Sequence, residues 1–324
     1  FDYFIIRNSY IFVDFFFVLS GFVIALNYTN FRDKNELWIY IKKRFIRLYP
    51  LLFFTSTIFL IFNLISNNFL IDLINNSKSN SLIINNYFED IFFANSTIFL
   101  GSGQGLNIPS WSISAEIISY LVYGIISLFF ITKTKNIVIS FLIFVCLYYY
   151  FFEVDFYKNN SEFGFLRSLI CFHLGYFVFL LSKKIKNISF LFEYSIPLLL
   201  IVILYLINDL EGGVKKFVFG FITPLFFSFS ILVLTKTNGL ISKFLEYNFI
   251  QFLGKISYSV YLTHQLLLIV ITRIGFRALN IEITLLNELF IFLSSLLVII
   301  IFSSLTFKMI EKKGSVFLKK KLLK

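Results

Sequence analysis

The chain has 324 residues, of which 58% are hydrophobic and only 15% are charged, and its mean hydropathy is +0.84. A soluble domain has about 45–50% apolar and about 25% charged residues, so both values indicate a membrane protein. The aromatic content of 21% excludes a disordered or collagen-like chain. The net charge of +11 has to be interpreted by position, because membrane topology also concentrates basic residues in particular loops.

Nine stretches are long and apolar enough to cross the hydrocarbon core, which takes about 20 residues of helix. Segment 82–100 contains several Asn and acidic residues, so we expect an exposed loop with an interfacial helix there. The sequence thus predicts an all-α polytopic membrane protein in which residues 1–324 form a single domain. The predicted spans are 9–27, 50–70, 111–131, 137–152, 163–182, 190–207, 217–235, 255–272 and 286–306.

Lys and Arg residues lie mainly in alternate loops. With nine spans, about three times as many of them fall on the side of the C-terminus as on the other side. Because cytoplasmic loops collect basic residues, we expect a cytoplasmic C-terminus, and no nucleic-acid partner is needed to explain the charge. The chain begins at Phe1 without the features of a signal peptide, so we expect a further helix upstream.

The two cysteines are predicted to be core thiols. Cys146 and Cys171 both lie in apolar stretches, and neither has a second Cys or a His at metal-ligand spacing. We therefore expect neither a disulfide nor a metal site.

Segment 12–24, FVDFFFVLSGFVI, places a carboxylate inside the first span. An ionisable group at the centre of a membrane helix costs about 2.5–3.5 kcal/mol on insertion scales, so Asp14 is a functional candidate. Its structural alternative is a carboxylate that reaches water at the interface. Ser20 and Gly21 follow in the same helix, and small residues of this kind allow a second backbone to approach closely.

Segment 111–124, WSISAEIISYLVYG, places Glu116 more than one turn inside a span that starts with Trp111. Ser112 and Tyr120 lie four residues to either side of Glu116, so all three share one helix face. A carboxylate among hydroxyl groups is poorly explained by exposure to lipid. The alternative to a functional role is a buried structural hydrogen bond.

Segment 38–50, WIYIKKRFIRLYP, carries Arg44 and Arg47 three residues apart before Pro50. Guanidinium groups at this spacing suit phosphate oxygens. The alternatives are ordinary cytoplasmic charge and binding of lipid headgroups.

Arg167, His173 and His264 are the remaining polar candidates within spans. Arg167 lies near the end of its span, and we expect it to pair with an acidic residue, either Asp14 or Glu116. A lone histidine in a membrane helix more often bonds a neighbouring helix than takes part in chemistry, so each histidine has this structural alternative.

Together, these segments resemble the acyltransferase 3 family, which comprises polytopic membrane enzymes that O-acetylate bacterial surface glycans. FVDFFFVLSGFVI is similar to the VDxFFxxSGF signature, KKRFIRLYP to the basic RxxRxxP segment and WSISAE to the WSxxxE element. FLGKISYSVYLTHQ is similar to the late LGxxSYxxYLxH block, and MIEKK at 309–313 to the closing IE element. The family has about ten membrane helices, which corresponds to the nine spans here and one upstream.

The resemblance implies an O-acetyltransferase of the bacterial cytoplasmic membrane. Its acyl donor is cytoplasmic acetyl-CoA, its acceptor is a hydroxyl of a surface polysaccharide or lipid-linked sugar, and membrane lipids surround it. Glu116 and Asp14 are the catalytic candidates, and Arg44 and Arg47 are the candidates for binding CoA phosphates. The candidates for binding substrate are Ser20, Trp111, Ser112, Arg167 and His264.

The family's catalytic base is a histidine that precedes the VDxFF signature. Residues 1–13 contain no histidine, so we expect this base in the upstream helix. Neither His173 nor His264 occupies the motif position. Two alternatives remain: a catalytically inactive relative, and a transporter or flippase of a glycolipid or another anionic substrate. Transporters often have repeated halves with broken helices, and the sequence contains no convincing repeat.

Overall fold

The computed structural model describes residues 4–69, 79–97, 101, 105–153, 163–272 and 285–323, and all regular structure in these ranges is helical. The prediction of an all-α polytopic fold is confirmed. A 3-10 turn, Ser9–Ile11, joins the first two helices, and π-helical turns occur at Val218–Ile222 and Phe307–Lys312. The helices are α1 (Phe4–Arg7), α2 (Phe12–Asn27), α3 (Lys34–Phe69), α4 (Asn80–Ile91), α5 (Ser110–Phe129), α6 (Thr132–Phe152), α7 (Gly164–Lys184), α8 (Leu191–Asp209), α9 (Gly212–Phe217), α10 (Thr223–Leu234), α11 (Leu240–Leu245), α12 (Asn248–Ile269), α13 (Leu285–Thr306) and α14 (Lys313–Leu322).

Eight helical runs among the described residues are long and apolar enough to cross a membrane. They correspond to eight of the predicted spans. The ninth prediction, 255–272, falls on α12, which is a helix of 22 residues outside this set. Polar side chains such as Gln251, Lys255 and Gln265 lower the hydropathy of α12. The eight runs are Phe4–Asn27, Lys34–Asn67, Ser110–Phe129, Thr132–Phe152, Gly164–Lys184, Leu191–Asp209, Gly212–Leu234 and Asn287–Leu322.

The described residues divide into two compact units. The first comprises Phe1–Ile41 and Ala115–Gln251, and the second comprises Lys42–Ser114 and Phe252–Lys324. The structure therefore adds an internal division to the single predicted domain.

In the second unit, the prediction of an exposed loop at 82–100 is wrong over residues 82–97, and its residues 98–100 lie outside the described part of the chain. Its short helix exists as α4, but Asn86, Asp90 and Asn95 are fully buried. The reason is tertiary: one face of α4 packs into an apolar cluster with Phe59 and Leu106, and this packing also encloses the polar residues on that face.

The helix α4 runs antiparallel to the second half of α3. The Asn67 side chain donates a hydrogen bond to Asn80 at 3.2 Å, at the start of α4. About two to three turns further along the helices, the hydroxyls of Thr57 and Tyr87 lie 3.2 Å apart. Residues 80–97 and 105–109 therefore turn back along α3 before α5 begins, and we call them the re-entrant segment.

In the first unit, α2 packs mainly against α7, and α10 packs against both. The backbones of α2 and α7 cross closely in this packing. A Cβ atom on Gly21 would lie 1.8 Å from the carbonyl oxygen of Phe172, and one on Gly175 would lie 2.1 Å from the carbonyl oxygen of Val18. Only glycine fits at both positions, because the opposing atoms are backbone and no side chain can move aside.

We expect Gly21→Ala and Gly175→Ala to separate α2 from α7 and to destabilise the first unit by about 1–3 kcal/mol or more. The measurement is the thermal unfolding temperature of detergent-purified protein, with the yield of monodisperse protein alongside. Gly254→Ala is the control, because nothing lies within 4 Å of a Cβ atom at that helical position. Equal stability of all three variants would contradict the close crossing.

Candidate functional site

Glu116 lies in a hydroxyl network in the first unit, as the spacing of Glu116 and Tyr120 predicted. Its Oε1 atom accepts hydrogen bonds from the Ser20 hydroxyl and from the Tyr120 hydroxyl, and these two hydroxyl oxygens are 2.8 Å apart. Among the described residues, Oε2 has no hydrogen-bond partner. The carboxylate is thus fixed through one oxygen and keeps the other available to a further donor.

Local packing positions both hydroxyls. Ser20 precedes Gly21, so the close crossing of α2 and α7 sets the position of the Ser20 side chain. The Tyr120 ring packs edge-on against Phe172, with 5.6 Å between centroids, and against Tyr40 at 6.3 Å. Ser20, a predicted substrate-binding residue, therefore contacts the candidate catalytic carboxylate.

Asp14 and Arg167 form a buried ion pair in the same unit. The Nη2 and Nε atoms of Arg167 donate to Asp14 Oδ1 at 2.9 Å and 3.2 Å, and the side chains are only 4% and 2% exposed. The guanidinium group also stacks on Phe219 at 4.4 Å, within the first π-helical turn. Of the two predicted partners of Arg167, the structure selects Asp14.

The space beside this pair is very small. The cavity that Asp14 and Arg167 line together with Tyr150 and Gly220 has a volume of about 10 Å³. A single water needs about 10–15 Å³, so no substrate group fits there in this conformation. Asp14 and Arg167 therefore connect α2 to α7. Of the two candidate carboxylates, Glu116 is the one with an oxygen open to a further donor.

Trp111, Ser112 and His264 belong to the second unit, where Tyr261 connects two of them. Ser112 donates to the Tyr261 hydroxyl at 2.8 Å, and the rings of Tyr261 and His264 have centroids 6.0 Å apart. The His264 Nδ1 atom lies 2.7 Å from the Tyr261 carbonyl oxygen, so this nitrogen is satisfied by its own helix. Trp111 is buried at the start of α5. Sequence reasoning missed Tyr261, although it lies in the quoted FLGKISYSVYLTHQ segment.

The basic segment of α3 is held by residues far away in the sequence. Pro50 lies inside the helix and has no N–H, so the Ile46 carbonyl loses its usual partner. The Ser315 hydroxyl donates to that carbonyl at 3.0 Å, and the Tyr258 hydroxyl donates to the Leu48 carbonyl at 2.8 Å. These two bonds fix the helix around Arg47.

The two predicted phosphate ligands differ in exposure. Arg47 is exposed, whereas Arg44 is partly buried. Glu311, in the second π-helical turn, accepts a hydrogen bond from Ser259 at 2.8 Å and lies within electrostatic reach of Arg47. The closing IE element thus belongs to the surroundings of the basic segment.

Asp90 organises the re-entrant segment, and sequence reasoning did not select it. Its carboxylate accepts hydrogen bonds from two backbone N–H groups and from three side chains. Burial raises the pKa of the Asp90 carboxyl to about 6. Because Ser110 is the first residue of α5, Asp90 fixes the start of the helix that carries Trp111. The donors are Ser56 Oγ, Asn95 Nδ2, Leu106 N, Asn107 N and Ser110 Oγ, at 2.7–3.2 Å.

Comparison with known families identifies a match over most of the chain. A family model described as an acyltransferase domain matches residues 1–307. This range includes parts of both units and four of the five segments on which the resemblance rests; MIEKK at 309–313 lies beyond it. No curated protein and no solved structure matches the chain.

We expect Ser315→Ala to destabilise the protein by about 1–2 kcal/mol, because it leaves the buried Ile46 carbonyl without a donor. In a Pro50→Ala background, residue 50 regains an N–H that reaches this carbonyl, so the effect of Ser315→Ala should nearly disappear. Thermal unfolding of the two single variants and the double variant measures this coupling. Ser304→Ala is the control, since that hydroxyl bonds only Ile300 of its own helix. Additive effects would rule out the proposed pairing.

Proposed function

Because the acyltransferase domain model matches residues 1–307, the chain belongs to the acyltransferase 3 family and is a membrane acyltransferase, and we propose that it O-acetylates a surface glycan. The donor in this proposal is acetyl-CoA. The acceptor is a hydroxyl group of a cell-surface polysaccharide or a lipid-linked sugar. The observation that carries the proposal within the site is the Glu116 carboxylate, which is fixed through Oε1 and open at Oε2.

The transfer forms one ester bond and breaks one thioester bond. A base removes the proton of the acceptor hydroxyl, whose oxygen becomes bonded to the acetyl carbon. The C–S bond breaks, and the CoA thiolate takes a proton as it leaves. The net products are the O-acetylated sugar and free CoA.

Glu116 is the positioning residue for the base in this proposal. A histidine of the kind that the family resemblance implies would donate its ring N–H to Oε2. The carboxylate would then select the tautomer and stabilise the imidazolium that forms during transfer. Ser20 and Tyr120 keep the carboxylate oriented by bonding Oε1, which explains why two hydroxyls converge on one oxygen.

Arg44 and Arg47 bind the phosphates of CoA in this proposal. Phosphate oxygens accept hydrogen bonds from guanidinium groups in a planar, charge-assisted geometry. The exposure of Arg47 and the anchoring of its backbone by Ser315 and Tyr258 support this role. In this proposal the membrane is the bacterial cytoplasmic membrane, as the family resemblance implies, and the distribution of basic loops supports a C-terminus and a donor site on the cytoplasmic side.

We expect Glu116→Gln to reduce acyl transfer by about 100-fold or more. The amide oxygen still accepts hydrogen bonds from Ser20 and Tyr120, so the protein should fold. An NH₂ group in place of Oε2 cannot accept a hydrogen bond from the histidine or stabilise the imidazolium charge. The measurement is the amount of ester-linked acetyl on surface glycans, determined by mass spectrometry in cells that lack the gene and carry a plasmid copy.

Glu153→Gln is the matched control, because Glu153 is exposed at the end of α6. Normal acylation by Glu116→Gln at equal membrane abundance would remove Glu116 from the mechanism. Altered glycan export with an unchanged ester profile would favour the transporter alternative.

We expect Arg47→Ala to raise the apparent KM for acetyl-CoA by about 10-fold or more, because a charge-assisted hydrogen bond contributes about 1.5–3 kcal/mol. The unfolding temperature should change little. Lys34→Ala removes the same charge from an exposed position on the same helix and is the control. An unchanged KM for acetyl-CoA in Arg47→Ala would contradict the phosphate-binding role.

A further inference from the structure

The re-entrant segment contains buried polar side chains that lack partners. The Asn86 side chain is fully buried, and neither its Nδ2 nor its Oδ1 atom has a hydrogen-bond partner. The hydroxyls of Ser96 and Thr97 and the Oδ1 atom of Asn107 are also buried and without a partner. We call these four residues the polar cluster. A buried amide or hydroxyl without a partner costs about 1–3 kcal/mol, so a group of four in one segment requires an explanation.

The backbone at or next to three members of the cluster is connected to Asp90. Asn86 precedes Asp90 by one helical turn and therefore lies on the same face of α4. Ser96 follows Asn95, whose side chain donates to Asp90 at 2.9 Å, and the Asn107 N–H donates to Asp90 at 2.9 Å. The Asp90 hydrogen bonds thus hold in place the backbone on which the partnerless groups lie.

This region lies beside the interior of a membrane-length helix. Ser56, which donates to Asp90, is about 16 Å along α3 from its Asn67 end. Residues 92–97 and 105–109 are non-helical at this level of α3. At membrane depth, irregular backbone is tolerated where it is enclosed by protein or where it lines a polar cavity.

Phe93 adds a second local departure from regular geometry. Its φ angle is +56°, in the left-handed region that favours glycine, and such a residue costs about 1–3 kcal/mol. The half-buried Phe93 ring contacts those of Tyr49 and Phe45, with centroid distances of 6.2 Å and 6.3 Å. The strained turn thus holds an aromatic ring next to the residues that follow Asp90.

We propose that the polar cluster binds the hydroxyl groups of the acceptor sugar, and this inference rests on the proposed O-acetyltransferase function. Amides and hydroxyls both donate and accept hydrogen bonds, as sugar hydroxyls do, and none of them carries a charge. The nearby Asp90 carboxyl already accepts from five donor groups, so its oxygens are engaged within the protein.

The proposal predicts opposite effects of one substitution on stability and on acceptor binding. Asn86→Leu keeps the approximate shape of the side chain and removes both partnerless atoms. We expect the unfolding temperature to rise by about 2 °C or more, and the KM for de-esterified surface glycan to rise about 10-fold or more. The KM for acetyl-CoA should stay within about twofold of the wild-type value, since donor binding is assigned to a different segment.

Asn85→Leu is the matched control, because Asn85 is the exposed neighbour on the same helix. Ser96→Ala is a second test that removes one partnerless hydroxyl with almost no change of shape. It should raise the glycan KM without lowering the unfolding temperature. A lower unfolding temperature and an unchanged glycan KM in both variants would mean that the cluster holds structural water, and this result would overturn the proposal.

Failure of the underlying function has a different signature. If the wild type transfers no acetyl group to de-esterified glycan, the O-acetyltransferase proposal fails. The site is then tested by the glycan-induced rise in the unfolding temperature. A rise in the wild type that Asn86→Leu abolishes and Asn85→Leu retains supports the site alone. Identical behaviour of all three proteins overturns it.

Discussion

Polar groups among membrane-length helices need partners within the protein, because lipid supplies none. This requirement explains most of the long-range hydrogen bonds in each unit. Asp14 pairs with Arg167, the Glu116 carboxylate accepts from Ser20 and Tyr120, and the Ile46 carbonyl accepts from a distant serine. Each partner fixes the position of a helix as well as satisfying a polar atom. The residues that satisfy buried polarity are therefore also the residues that determine the geometry of the candidate site.

In the first unit, close backbone packing allows the buried polar side chains to reach their partners. The Gly21–Gly175 crossing brings α2 and α7 close enough for Asp14 to reach Arg167 across the same interface. Ser20 is adjacent to the crossing, so its direction toward Glu116 follows from the same packing. The SGF signature thus has a physical meaning here: the glycine permits the approach of two backbones, and the serine uses that approach to orient a carboxylate.

The sequence predicts those features that depend on local spacing. Apolar length identified the helices, and the four-residue spacing of Glu116 and Tyr120 predicted their contact. Tertiary partners could not be predicted in the same way. The Asn and acidic residues of segment 82–100 are compatible with an exposed loop as well as with a buried one. Asp90 was missed for this reason: its donors come from three separate stretches of the chain, and only the folded chain brings them together. Pro50 lies inside α3 and leaves the Ile46 carbonyl without its helical partner, and no sequence pattern shows that residue 315 satisfies it.

Because buried polar groups need partners, the buried groups that lack them require a physical reason. A single substitution by leucine removes a buried amide that has no hydrogen-bond partner, and such a substitution would stabilise the fold. Buried atoms of Asn86, Ser96, Thr97 and Asn107 nevertheless lack partners in the segment that contains a carboxylate with five donor groups. A region that satisfies one polar group so fully and leaves four neighbours unsatisfied is not simply poorly packed. The arrangement is that of a rigid frame whose free donors and acceptors are completed by a ligand, and their cost in stability is recovered when that ligand binds.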